Sequence, residues 1–430
     1  MRSGSLSGGV AKNILGNVVG PLAGLASAPI LAHGLGVAGR GEVAAATAPF
    51  LLVATLATLG IPEAVTYFVA RNPTAFHAIR RRAGLILTLA GVAATGVGVL
   101  TAPLLAGDQA DMVSLISLAS LALLPTILVS MLRGLAAGLG LWTTVAVERA
   151  LGPVVRLVAV AALAASGNLS VLTATVSIVS APILGGLVYL VRRSALRDGS
   201  PGALPSHSDL LSYGGRVWLG SIAGVLLMRV DQVLMVPLST TYELGLYVVA
   251  VTISELPLVI NTAIREVMFA SDARSSDDRR LTAAARISLL VCALAAVGIG
   301  GTSVWWLPVL FGEEFIGALP SLIILLVAVV AGVPGSIAGS GLSARGLPHL
   351  RSYSLLAAFT INLVTVILAV PHLGAVGAAI GTLVGNVVSS NINVLQMKSR
   401  FGVPFWAFYA VGVRDLKEML ALARRLLKRG

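Results

Sequence analysis

Residues 43–71 read VAAATAPFLLVATLATLGIPEAVTYFVAR, residues 72–82 NPTAFHAIRRR, and residues 83–106 AGLILTLAGVAATGVGVLTAPLLA. At ~1.5 Å per helical residue, the first and third stretches each span a hydrocarbon core about 30 Å thick. The short turn between them holds Arg71, Arg80, Arg81 and Arg82. Two apolar crossings joined by a basic turn form a membrane hairpin whose turn stays in the cytoplasm. The crossings must be helical, because lipid offers no partner to exposed backbone amides. A β-barrel would instead show alternating segments of roughly ten residues.

The same pattern extends in both directions. Apolar runs at about 10–33, 43–70, 83–106, 112–137, 143–165, 170–191, 212–238, 245–270, 282–310, 317–341, 352–370 and 374–396 predict twelve spans. Loop arginines fall on every second loop. One side has the 71–82 group, then Arg192, Arg193 and Arg197, then Arg274, Arg279 and Arg280, then Arg345 and Arg351. The other has Arg40 alone, among Glu42, Asp108, Asp111, Glu243, Glu313 and Glu314. This asymmetry predicts both termini in the cytoplasm, and the scarcity of lysine, four of 30 basic residues, beside abundant alanine and glycine hints at a bacterial source and so at a plasma (inner) membrane. The join at Gly138–Trp142 has no loop charge and rests on glycine punctuation.

Composition agrees. Of 430 residues, 57% are hydrophobic and 11% charged, against about 25% charged in soluble domains. The net charge of +12 sits beside spans, where it sets topology and meets anionic lipid, so no nucleic-acid partner is expected. A single cysteine, Cys292, offers neither a disulfide nor a thiol metal site. The polar Met1–Gly9 followed by a long apolar run does not read as a cleavable signal.

The Ser-, Gly- and Pro-rich stretch Arg192–Asp209 divides the chain into six-span bundles at 1–197 and 210–397, with a cytoplasmic linker at 198–209. Leu35–Ala46 (LGVAGRGEVAAA) and Thr240–Ala250 (TTYELGLYVVA) each follow the first span of a half and support a duplication. Parallel repeats place a pseudo-twofold axis along the membrane normal, with a substrate path between the halves. Residues 398–430 form a cytoplasmic tail. Phe401–Val413 is aromatic and too short to cross, and Arg414–Gly430 has the spacing of a basic amphipathic helix lying on the membrane.

Charges within spans are costly and are functional candidates. Arg156, Arg229, Asp231 and Glu255 fall near the midplane, with Glu63, Arg133, Arg149, Arg216, Arg265 and Glu266 nearer the cytoplasmic ends. Arg149 and Arg156, seven residues apart, share a helix face. Stacked cations suit an anion moving along a path, such as a pyrophosphate. Arg229 and Asp231 point to different sides of one helix, so each needs a partner elsewhere: Glu255 for Arg229, Arg156 for Asp231, or another pairing. Arg149, Arg156, Arg229 and Arg265 are thus the candidate substrate-binding residues. Glu63, Asp231 and Glu255 are the candidates for coupling to a proton or Na⁺ gradient, since burial raises a carboxylate pKa and a nearby arginine lowers it. Pro153 lies between Arg149 and Arg156, and Pro257 lies two residues from Glu255. Kinks there suit bending helices. No metal-ligand cluster, phosphate loop or catalytic constellation is present, so neither an enzyme nor a cofactor is expected.

Three stretches resemble a known family: LGVAGRGEVAAATAPFLLVATLATLGIPEAVTYFVAR (Leu35–Arg71), RVDQVLMVPLSTTYELGLYVVAVTISELP (Arg229–Pro257) and SARGLPHLRSYSLLAAFTINLVTVILAVPHLGAVGAAIGT (Ser343–Thr382). They are similar to the Wzx-type polysaccharide-biosynthesis flippases of the multidrug/oligosaccharidyl-lipid/polysaccharide exporter superfamily. The resemblance implies an all-α polytopic fold of about twelve helices in two six-helix bundles, MATE-like, V-shaped and pseudo-twofold, around a cationic cavity. It implies that an undecaprenyl-pyrophosphate-linked oligosaccharide is turned from the cytoplasmic to the outer leaflet. Its implied partners are that lipid-linked glycan, membrane lipids, a polysaccharide polymerase and glycosyltransferases. Asp231 falls where the family often carries an acidic residue. Family members often carry further charges in the first span, where this chain has only Lys12, Asn13 and Asn17. The alternatives are a lipid II flippase or drug antiporter of the same superfamily, and a non-transporting scaffold of a glycan-assembly complex.

Overall fold

A computed structural model describes residues 4–107, 109–191 and 204–412, with side chains from residue 19 onward. Asp108, the arginines at 192, 193 and 197, the side chains of Lys12, Asn13 and Asn17, and the basic tail at 414–430 lie outside the described residues. Among the described residues there are helices and no strands. In chain order they are α1 (Gly4–Leu56), α2 (Ile61–Arg71), α3 (Phe76–Ala106), α4 (Ala110–Leu121), α5 (Leu123–Gly138), α6 (Trp142–Ala165), α7 (Val171–Gly186), α8 (Val188–Val191), α9 (His207–Leu238), α10 (Thr241–Ser254), α11 (Leu256–Asp272), α12 (Asp278–Phe311), α13 (Leu319–Ala344) and α14 (Pro348–Phe401). The chain is a multi-pass membrane protein.

Eight helical segments among the described residues are long and apolar enough to cross a membrane, or nine if the bent pair α10–α11 is one span. The expected twelve is not reached by that criterion, for two physical reasons. α6 carries Glu148, Arg149 and Arg156 and falls outside the count. Two other helices, α1 and α14, each cover two expected spans that meet at one glycine. Gly36 (φ 67, ψ −175) breaks α1 and Gly374 (φ 53, ψ −128) breaks α14. Positive φ is a glycine conformation, so the chain turns there without a polar loop. In α14 the turn is a full reversal. A Cβ on Gly377 would lie 2.6 Å from the carbonyl carbon of Ala369, and one on Gly385 would lie 3.3 Å from the oxygen of Ala358. Those partners are eight and twenty-seven residues away, so the two limbs run antiparallel in close contact. Gly374→Ala should therefore cost about 1–3 kcal/mol, read as a lowered apparent Tm of the purified protein. Gly96→Ala, where a Cβ meets nothing within 4 Å, should leave the Tm in place.

The chain forms two compact units. The first comprises Met1–Val225, Gln232–Gly245 and Leu310–Glu314, and the second Leu226–Asp231, Leu246–Val309 and Phe315–Gly430. In the first, Ile61, Val65 and Val69 of α2 pack with Ile79 and Leu87 of α3 and Leu123, Ile127 and Leu135 of α5. Small residues allow close approach: a Cβ on Gly134 of α5 would lie 2.5 Å from the Pro62 carbonyl oxygen, and Thr66 donates to the Gly134 carbonyl at 3.1 Å. A turn at Gly140 (φ 73) separates α5 from α6.

In the second unit, α13 contains Pro334, which has no N–H to give. Side chains of α14 take up the backbone groups nearby. Ser390 Oγ accepts from the Gly335 N–H at 2.9 Å, and Asn393 Nδ2 donates to the Gly335 carbonyl at 3.2 Å. The aromatic segment after α14, expected as a tail outside the bundle, belongs to this core. Val403 and Phe408 are buried among Leu281, Ile337, Leu342 and Met397, and Arg286 Nη1 donates to the Ala407 carbonyl at 2.7 Å. Arg345, between α13 and α14, donates from Nε and Nη2 to both oxygens of Asp272 at 2.7 and 3.0 Å, and from Nη1 to Asp278 at 2.7 Å. Its guanidinium also stacks over Phe401, 4.7 Å from the ring centre. The two carboxylates hold it above the usual arginine pKa.

Candidate functional site

α6 lies along the first limb of α1, where Gly20 and Gly24 leave room for it. A Cβ on Gly20 would touch Pro153 at 3.8 Å, and one on Gly24 would meet Arg156 Nη2 at 3.2 Å. The Arg156 guanidinium thus occupies the space that the missing side chain vacates. Its Nε is buried with no hydrogen-bond partner. Arg40 stands four residues beyond the Gly36 turn, 9% exposed, with its Nε likewise buried and unpartnered. The two guanidinium groups are close enough to repel one another. No carboxylate lies within ion-pair reach of either among the described residues. An uncompensated charge is more costly the more it is buried, so the neighbourhood of these two cations is suited to an anion or to water.

The nearest carboxylate along α6 is already committed. Glu148 receives Nε and Nη2 of Arg133, both at 2.8 Å, in the two-pronged geometry that makes arginine–carboxylate pairs strong. The Tyr189 hydroxyl adds a third contact at 3.4 Å. Arg149 sits half-buried in the field of this group rather than beside Arg156. The two residues expected to act together along α6 therefore have different surroundings. Glu63 lies exposed on the first turn of α2.

In the second unit, Asp231 is 3% exposed and receives the hydroxyl of Tyr247, itself fully buried. Thr382 Oγ1 lies 3.2 Å from the same carboxylate oxygen and 3.1 Å from the Tyr247 hydroxyl. Two hydroxyls, those of Tyr247 and Thr382, thus bind the Asp231 carboxylate. Arg229, half-buried, feels the charge of Glu255, but the pair does not close to ion-pair distance. Glu255 stands at the break between α10 and α11, where the helix axis turns by 43°. Pro257 follows it and removes the hydrogen bond that would continue the helix. Arg265 is half-buried on α11, its carbonyl taking Ser340 Oγ at 3.4 Å, and its charge faces that of Arg351.

Three participants escaped the sequence reading. Arg40 reads as a loop residue, because the turn before it is a single glycine inside continuous helix. Glu148 adjoins Arg149 in an apolar run and carries the same intramembrane signal. Tyr247 lies inside the repeated stretch TTYELGLYVVA, where a phenol looks like ordinary packing.

A family model described as polysaccharide biosynthesis protein matches residues 6–269. No curated protein matches the sequence significantly. Among solved structures, the chain is similar to the lipid II flippase MurJ in its inward closed conformation, with 12% identity, 95% of this chain and 92% of that one covered, and a TM-score of 0.74. It is similar to an inward-facing multidrug resistance MATE family transporter of the MOP superfamily, with 17% identity, coverage of 90% and 98%, and a TM-score of 0.68. A MOP superfamily transporter from Pyrococcus furiosus, described as having a binding pocket of reversed polarity, gives 17% identity, coverage of 93% and 95%, and a TM-score of 0.56. At these identities the likeness is one of fold. The neighbours are transporters and a flippase, not enzymes.

Proposed function

The chain belongs to the polysaccharide biosynthesis protein family, and from that membership we propose that it is a flippase for a lipid-linked glycan. Its substrate is an undecaprenyl-pyrophosphate-linked oligosaccharide, moved from the cytoplasmic to the outer leaflet of the plasma membrane for polysaccharide assembly. The observation that carries this reading is the Arg40–Arg156 pair, one buried and one half-buried cation, each with a buried Nε lacking a partner and without a counter-charge among the described residues. A pyrophosphate diester brings the two negative charges that such a pair lacks, and guanidinium groups bind phosphate oxygens in a two-pronged fashion. The pair would lower the barrier that hydrocarbon sets against the headgroup while the lipid tail stays in the bilayer. No cofactor is invoked. A proton or Na⁺ gradient supplies the energy, and Asp231, Glu255 and Glu63 are the carboxylates that would respond to it. The termini lie in the cytoplasm, as the arginine asymmetry requires. A polymerase and glycosyltransferases are the partners that would take up and supply the substrate.

A second reading, lipid II as the substrate, draws support from the fold likeness to MurJ. The two substrates share the lipid pyrophosphate and differ in the sugar. A cation-exporting role is disfavoured, because Arg40 and Arg156 would repel its cargo. The deciding measurement is the leaflet distribution of both lipid-linked species in cells depleted of this protein. Build-up of the polysaccharide precursor on the cytoplasmic side, reversed by the wild-type chain, supports the first reading. Build-up of lipid II alone supports the second. Normal crossing of both, with redundant flippases removed, ends the flippase reading altogether.

A further inference from the structure

Two arginines of the second unit converge on one turn of α13. The carbonyl of Arg265 on α11 accepts from Ser340 Oγ at 3.4 Å. Arg351 of α14 passes the neighbouring residue: a Cβ on Gly339 would fall 3.3 Å from Arg351 Cδ. Bare glycine leaves the gap through which the Arg351 stem runs. Both side chains are half-buried, and their charges repel one another. No ion pair joins either to a carboxylate among the described residues. At the same end, Asp272 and Asp278 are held by Arg345, and Asp277 by Arg280. Asn393 also meets Gly339, and its amide oxygen takes Ser354 Oγ at 2.7 Å. A half-buried pair of like charges in such surroundings favours an anion.

The depth of the pair narrows the choice of anion. Arg351 stands three residues past Pro348, which opens α14, and Arg265 seven residues before Asp272, which closes α11. At ~1.5 Å per residue the two lie roughly 5–10 Å inside the helix ends, a depth that a long arginine side chain spans by snorkelling. The arginine asymmetry assigns these ends to the cytoplasm. Arg156 of the first unit falls near the middle of its span instead, out of reach of a phospholipid headgroup.

We infer that Arg265 and Arg351 form a binding site for the phosphate of an anionic phospholipid in the cytoplasmic leaflet. This rests on the topology proposed above and not on the glycan. Basic pockets between membrane helices at that face take anionic headgroups, and the guanidinium fork matches phosphate oxygens. Membrane phospholipid is in large excess over any carrier-linked precursor, so by mass action it fills a site at headgroup level. The bound phosphate ties α11 to α14 across Gly339 and Ser340. The second unit is therefore held more firmly in an anionic membrane than in a zwitterionic one.

The test uses the full chain in zwitterionic micelles, titrated with phosphatidylglycerol and read by native mass spectrometry and by apparent Tm. The wild type should retain one phosphatidylglycerol in preference to phosphatidylcholine and gain in Tm as it binds. Arg265→Gln combined with Arg351→Gln should weaken that binding roughly thirtyfold and remove most of the gain. Arg274→Gln combined with Arg279→Gln deletes two exposed arginines of the same end and should behave as wild type. Equal weakening in the two double variants, or none in the first, would overturn the inference. Undecaprenyl pyrophosphate forms a second arm. If an equimolar amount displaces phosphatidylglycerol from the wild type, the site belongs to the carrier lipid and the inference fails. Should the first double variant not fold, a photoreactive phosphatidylglycerol on the wild type decides. Labelling must then fall within 262–268, 336–343 or 348–354, and labelling confined to other segments overturns the inference. No transport is measured, so loss of the flippase reading and loss of this site are distinguishable.

Discussion

Alanine at both Arg40 and Arg156 is expected to lower leaflet-to-leaflet transfer of the pyrophosphate-linked glycan by more than about a hundredfold. Each guanidinium makes charge-assisted hydrogen bonds to phosphate worth about 1.5–3 kcal/mol, so one substitution should cost roughly ten- to a hundredfold. The two effects should fall short of additivity, because both cations act on one anion. Lysine at either position should restore part of the activity, since it supplies charge without the two-pronged geometry. Stability should move the other way. Arg40 is buried and Arg156 half-buried, the Nε of each lacks a partner, and the two cations repel one another, so removal of the pair should leave the apparent Tm of substrate-free protein unchanged or raised. The exposed Arg280 supplies a control, and its alanine variant should transport normally. Transport that survives the double substitution would show that the anion is held elsewhere.

Arg345→Met should have the largest effect on stability, about 3–5 kcal/mol. The side chains of Arg345 and Asp272 are each 4% exposed. Removing the cation strands the Asp272 carboxylate in a closed environment and also takes away the anchor that Asp278 and Phe401 share. Asp272→Asn should cost less, because Arg345 keeps Asp278. Arg345→Met combined with Asp272→Leu should recover a good part of the loss, as expected when a buried pair gives way to apolar contact. Thermal unfolding of the four proteins settles the ordering. Equal losses in the two single variants would place the stabilisation in the Arg345–Asp272 pair alone, leaving no share to Asp278 or to the Phe401 stacking.

The membrane class and family were legible because hydrocarbon imposes a coarse code: about twenty apolar residues, then charge on one side. That code carries no information about a turn made by one glycine. The segment 10–70 reads as two spans with a loop, whereas the structure keeps helix on both sides of Gly36 and draws Arg40 inward. The reach of the C-terminal core was hidden for a related reason. Phe401–Val413 is too short to cross, so it reads as a tail, yet Phe408 is buried by packing on helix ends rather than by spanning. Intramembrane charge correctly drew attention to Arg156, Asp231 and Glu255 as residues needing partners. Which partner each one has depends on which helices touch, and spacing along one helix cannot say. Glu148 illustrates the point: its partner Arg133 lies on a different helix, fifteen residues away.

The reversal at Gly374 bears on how the chain is made. Biosynthetic insertion usually handles spans in succession and exports a hydrophilic loop between them. Here Val370, Pro371, His372, Leu373 and Gly374 carry no fixed charge, and the limbs touch within eight residues of each other. The first limb therefore has no exported segment to anchor it while it waits for the second. Arg351 stands at the outset of the pair, and Lys398 and Arg400 at its close, so both ends are retained on one face. A reversal this short suits release of the two limbs from the translocon together, as one hairpin. Their glycine-lined seam would then be assembled before the pair reaches lipid, making α14 a unit of biogenesis as well as of packing.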